Sequence, residues 1–82
     1  MKATINITLK SGVLDPQGKA IENALGQLNF SGVNSVRQGK LIEIDLSETD
    51  AAKAEASLTA MCEQLLANTV IENYDIQLDK SE

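Results

Sequence analysis

Stretches of strict alternation and two apolar stripes at helical spacing follow one another along this chain, and their order limits the fold more than any composition figure. Ala3, Ile5, Ile7 and Leu9 alternate with Thr4, Asn6 and Thr8, a period of two that reads as a strand with one buried face. Gly12 breaks it. Asp15 followed by Pro16 is a helix start, because the carboxylate can accept free amides of the first turn and proline fits there. Ile21, Ala24, Leu25 and Leu28 then recur at helical spacing, with Gly18 and Gly26 lowering the propensity, so packing must support this helix. Asn29 suits a left-handed helix end.

Residues 33–37 read as a short strand, and Gln38-Gly39 as a tight turn into a further strand from Lys40. In that strand Ile42, Ile44 and Leu46 share one face. Asp50 caps a second helix, whose stripe is Ala51, Ala54, Leu58, Met61, Cys62, Leu65 and Leu66. Asn68 and Thr69 end it, and Tyr74, Ile76 and Leu78 alternate through a last strand. Residues 80–82 read as a loose tail. The order β-α-β-β-α-β predicts an α+β fold of the ferredoxin-like kind: one domain over residues 1–82, with two helices on one face of a four-stranded antiparallel sheet. A two-residue turn at Gln38-Gly39 would place Val36 opposite Leu41 on the otherwise polar sheet face. That makes the two residues either a marginal surface pair or a self-association contact.

Composition narrows the function. With 82 residues the chain buries only about 60–65% of its unfolded surface, enough for one thin core and little room for an enclosed active site. A net charge of −5 argues against nucleic acid, whose phosphates need a basic face. Phe30 and Tyr74 are the only aromatic residues, too few for a base-stacking platform. There is no histidine, the usual proton shuttle and commonest metal ligand. A single cysteine excludes an internal disulfide and argues against a thiolate metal cage. The alternating first ten residues form neither a signal peptide nor a membrane span, so the expected compartment is the cytoplasm.

Charge is unevenly distributed. Through Leu41 there are 2 acids against 5 bases, and from Ile42 onward 10 acids against 2 bases. Strand direction brings the loop over residues 10–15, the Gln38-Gly39 turn and the Asn68-Thr69 junction to one end of the fold. Lys10, Lys19, Arg37 and Lys40 gather there with the partly positive start of the first helix. The candidates for partner docking are Lys10, Asp15, Gln17, Lys19, Arg37, Gly39 and Lys40. The alternative is a set of solvated loop charges with no task.

Reactive chemistry has few carriers. Cys62 lies within an apolar stripe and reads as a buried thiol. Asp15 reads first as a helix cap. Glu43, Glu48, Asp50 and Glu55 lack the close loop spacing of a calcium site. A metal-carrier module of this fold needs two nearby cysteines, and an acylphosphatase-like enzyme needs an early arginine; Arg37 is the only arginine. A regulatory module of the ACT type, which binds small molecules through loops and dimer interfaces, stays open.

The stretch Leu9-Lys10-Ser11-Gly12-Val13-Leu14-Asp15-Pro16-Gln17-Gly18-Lys19-Ala20 closely resembles the opening motif of the PurS family. Val36-Arg37-Gln38-Gly39-Lys40 is similar to its hairpin. Met61-Cys62-Glu63-Gln64-Leu65-Leu66-Ala67-Asn68, followed by Val70-Ile71-Glu72-Asn73-Tyr74, is similar to its last segment. The resemblance implies the ferredoxin-like fold. It also implies a role as the small, non-catalytic subunit of phosphoribosylformylglycinamidine (FGAM) synthase in purine biosynthesis. In that enzyme PurL carries out the ATP-dependent amidation of formylglycinamide ribonucleotide, and PurQ releases ammonia from glutamine. The small subunit assembles the two, helps form the ammonia path and associates with itself as a dimer or tetramer. ATP and magnesium are then expected on PurL, with no cofactor bound by this chain. Two positions depart from the family pattern: Thr69 stands where proline is common, and Gln38 where an apolar residue is common.

Overall fold

A computed structural model of the chain describes residues 1–79, so the tail expected over 80–82 lies outside the described residues. The elements are β1 (Lys2–Leu9), α1 (Pro16–Gln27), β2 (Lys40–Asp45), α2 (Ala51–Met61), a π-helical turn (Cys62–Leu66) and β3 (Glu72–Asp79). The sheet has three strands in the order β2-β1-β3, both pairings antiparallel. Ile5 stands opposite Ile42 on one side and Ile76 on the other, and Ala3 opposite Ile44 and Leu78. The period-two pattern of all three strands therefore converges on one apolar face.

α2 starts where Asp50 accepts a hydrogen bond from the Ala52 amide at 2.9 Å. It packs over β3 and sets Leu58 and Cys62 against Ala3, Ile5 and Ile7. Ile5, Ile7, Leu58 and Cys62 are the largest fully buried side chains, and each aliphatic one contributes about 1.5–3 kcal/mol through removal from water. The helical stripe expected to reach Leu65 stops short of it. At Cys62 the helix widens, and the Ala67 amide bonds back five residues to the Cys62 carbonyl at 3.0 Å. The wider turn directs Leu66 and Ala67 inward and leaves Leu65 81% exposed.

The expected fourth strand is where structure and sequence pattern part. Residues 30–39 form neither helix nor strand and pair with no strand, so Val36 does not stand opposite Leu41 across a hairpin. The reason lies at the end of the segment. The Arg37 guanidinium donates to the Leu9 and Lys10 carbonyls, and the Gln38 amide donates to the Asp15 carboxylate at 2.9 Å. These contacts hold the segment against the loop after β1 and away from the free edge of β2. Leu41 does lie on the polar face, opposite Asn6, and is exposed.

α1 makes no packing against the sheet or α2 comparable to that of α2 on β3. Ile21, Leu28 and Phe30 are 40%, 66% and 60% exposed, although the first two belong to its apolar stripe. The helix ends in a Schellman motif: the Phe30 amide bonds to the Leu25 carbonyl, the Asn29 amide to the Gly26 carbonyl, and Asn29 has φ 69°. α1 and the returning segment thus form an arm beside a thin body. The radius of gyration is 16.2 Å, against about 12 Å for a compact domain of this length. No helix packs closely over β2, whose Ile42 and Ile44 stay half-buried.

Leu58→Ala is expected to cost about 2–5 kcal/mol. Leu65→Ala, despite lying on the same expected stripe, should stay within about 0.5 kcal/mol. Urea denaturation of the two variants checks this; equal losses would mean that Leu65 is buried and the widened turn is wrong.

Candidate partner-docking surface

Strand direction brings the sequence-derived candidates together as expected. The end of β1, the start of α1, the start of β2 and the start of β3 meet at one end of the sheet. A cleft of about 310 Å³ opens there, lined by Ile7, Leu9, Asp15, Pro16, Gln17, Gln38, Gly39, Lys40 and Glu72. On the other side of the arm base a shallow concavity is lined by residues of the 11–15 loop together with Lys19, Val36 and Arg37. Lys10 sits at the edge of a third, with Glu63, Thr69, Asn73 and Tyr74.

Asp15 has two partners. One carboxylate oxygen accepts from the Gly18 amide at 2.9 Å, as the N-cap reading requires. The other accepts from the Gln38 amide, also at 2.9 Å, a contact between residues far apart in sequence that periodicity does not reveal. These amides, Gly18 foremost, hold its carboxyl below the usual carboxylate range, with Arg37 assisting. Gly18 is buried at the same place. A Cβ there would lie 2.5 Å from the Val36 carbonyl oxygen and 2.5 Å from the Asp15 carboxylate, so only glycine lets the first turn of α1 touch the returning segment. Gly39 plays a similar part against β1, since its Cβ would fall 2.5 Å from the Ile7 carbonyl oxygen.

The basic rim is more neutralised than a count of charges suggests. Lys19 pairs with Glu22 at 3.0 Å. Lys40 reaches across the end of β1 to Glu72 at 3.3 Å. The Asn68 amide donates to Glu72 at 2.7 Å, and that bond, with Lys40 behind it, lowers the Glu72 pKa. Arg37 is turned onto backbone carbonyls. Gln17 is exposed at the cleft.

Sequence reasoning missed the apolar part of this surface. Leu14 and Val70 are 78% and 80% exposed near the loops, and the α1 stripe is open along the arm. The low helix propensity of α1 was visible in Gly18 and Gly26, but its lack of packing on its own sheet was not. Cys62 is buried, and that burial pushes its thiol pKa up, the opposite of what a nucleophile needs. Among the described residues no cluster of acids and cysteine could hold a metal ion, and no helix is long and apolar enough to cross a membrane.

An open apolar arm and a set of paired charges around a loop end define a small α+β interaction domain. The family model PurS, described as phosphoribosylformylglycinamidine (FGAM) synthase, matches residues 2–80. A PurS subunit of that synthase from Synechocystis is 51% identical over 74 residues, 90% of this chain and 74% of its own. The crystal structure of Methanocaldococcus jannaschii PurS, a subunit of formylglycinamide ribonucleotide amidotransferase in the purine biosynthetic pathway, superposes with a TM-score of 0.89 at 43% identity. The match covers 99% of this chain and 98% of that one. A chain in the structure of PurLQS from Thermotoga maritima matches with a TM-score of 0.85 at 33% identity over 93% of both chains. This chain belongs to the PurS family of FGAM synthase subunits.

Stability should fall in acid because of Asp15 and Glu72. Both carboxyls are lowered on folding, so their contribution is present above the unfolded value of about 4 and is lost as pH drops through the folded values. Urea midpoints measured from pH 6 to pH 3 should decline, and the decline should flatten in the Asp15→Ala, Glu72→Gln double variant. An equally steep decline in that variant would assign acid sensitivity to other groups.

Proposed function

We propose that this chain works in the cytoplasm as the assembly subunit of FGAM synthase in purine biosynthesis, bridging a PurL synthetase and a PurQ glutaminase and helping ammonia pass between them. In this reading ATP and magnesium act on PurL, and this chain supplies only surfaces. The observation that carries it is the unburied apolar stripe of α1 on an arm, in a chain without histidine and with its one cysteine in the core. An apolar face held in the open signals a partner. The neighbouring chain in PurLQS supports partners of that kind.

The first partner is a second copy. Each chain has a helix with no sheet to cover and a half-covered apolar sheet face over β2, where Ile42 and Ile44 lie. The two deficits match. Exchange of arms would lay α1 of one copy over β2 of the other and supply the second helix of a ferredoxin-like layer. Phe30 and Val33 on the returning segment add apolar surface to the same contact. The loop end, with Lys10, Gln17, Lys19, Lys40 and the exposed Leu14 and Val70, remains for the larger subunits, whose contacting surfaces are expected to carry acids around an apolar centre.

Reconstitution tests this. Purified PurL and PurQ partners should show glutamine-dependent FGAM synthesis only when this chain is added; equal rates with and without it would overturn the assembly role. Light scattering should give at least a dimer, and Ile21→Asp with Leu28→Asp should yield a folded monomer. A wild-type monomer at micromolar concentration would exclude arm exchange. Lys10→Glu with Lys19→Glu should keep the dimer and weaken the complex about tenfold or more; unchanged assembly would remove the loop end as a docking surface.

A further inference from the structure

The geometry points to Asp15 and Arg37 as a latch that sets the angle at which the arm leaves the body, so that they are positioning residues for self-association. This rests on the arm-exchange reading of the preceding section and adds what controls it.

The arm leaves the body at Asp15 and returns at Gln38, and both ends are tied at one place. The Asp15 carboxylate receives the Gly18 amide from the first turn of α1 and the Gln38 amide from the returning segment, each at 2.9 Å. Arg37 fastens the incoming end to β1 through the Leu9 and Lys10 carbonyls. The missing Cβ at Gly18 allows the Val36 backbone to close on the first turn of α1. Beyond this point the arm has no comparable hold on the body: α1 makes no packing on the sheet or α2 like that of α2 on β3. The orientation of a whole helix therefore depends on a few polar contacts around one carboxylate.

That dependence matters because a free arm samples many directions, and only a narrow set lets it reach a second copy. Holding the arm in the reaching direction removes orientational entropy before association, which raises affinity without adding a contact across the interface. The latch also disfavours the alternative in which residues 33–37 fold back on β2 as a hairpin. Such a hairpin would have to pull the Gln38 amide and the Arg37 side chain from their partners.

Asp15→Asn separates this role from helix capping. Asparagine caps a helix about as well as aspartate. Its single oxygen cannot serve two amides, and its NH2 group would face an N–H. The expected result is unchanged α1 helicity by circular dichroism and a dimer dissociation constant raised about tenfold or more. Arg37→Gln should act in the same direction, because its shorter amide cannot span both carbonyls.

A second readout is independent of affinity. Spin labels at Ser31→Cys on the arm and Ser47→Cys on the body, in labelled chains diluted into unlabelled ones, report the arm direction within one chain. The distance distribution should be narrow in the wild-type background and broad with Asp15→Asn. Unchanged distributions and unchanged affinity in both latch variants would overturn the latch. A wild-type chain that is monomeric yet keeps a narrow distribution would remove arm exchange and the role in self-association together, leaving the contacts as structure alone.

Discussion

β1 is bonded along both edges, and no other strand is. Its Ile5 stands opposite Ile42 and Ile76 across the ladders and its Ile7 opposite Tyr74, and both join Leu58 and Cys62 in one core. Every buried large side chain touches this arrangement, so the body exists because β2 and β3, far apart in sequence, both find β1. The capped start of α2 and the widened turn at Cys62 serve the same purpose by setting Leu58, Cys62 and Ala67 over the central strand. The remaining chain is fastened to this body at its ends only.

The paired charges at the loop end follow from that construction. Lys40 and Glu72 begin β2 and β3, the two outer strands, and their ion pair spans the end of β1 between them. Asp15 and Arg37 lie where the arm departs and returns. Charges that look like a basic rim when counted along the chain are in large part fasteners between segments. Solvated ion pairs of this sort contribute little energy individually. Their effect here is geometric, since they decide where segments run and not how strongly the core holds.

A domain this small has one sheet face to bury and two amphipathic helices to bury it with. Keeping α1 off that face leaves apolar surface on both the helix and the sheet. This costs stability in the isolated chain, and association with further chains would recover it. The PurS family membership and the neighbouring chain in PurLQS agree with a molecule shaped for assembly. Leu14, Leu65 and Val70 add further exposed apolar surface near the loop end.

Much of this was legible in the residues. Alternation in 3–9, 42–46 and 74–78 gave the strands and their buried faces, Asp15 and Asp50 marked both helix starts, and Asn29 marked the end of the first helix, because these signals are local. The family motifs were legible too, and with them the family. The sequence could not show that Gln38 would bond to Asp15, that Arg37 would turn to Leu9 and Lys10, or that the helix would widen at Cys62 and turn Leu65 outward. Nor could it show that residues 33–37 would leave the outer edge of β2 unpaired and α1 off the sheet. Secondary structure depends on neighbours within a few residues and is written in periodicity. Whether two amphipathic elements meet within one chain or between chains depends on contacts across long sequence separations, and the same apolar stripe satisfies either outcome. Only the tertiary structure decided that α1 stays off its own sheet, with both ends of the arm held at the Asp15 carboxylate.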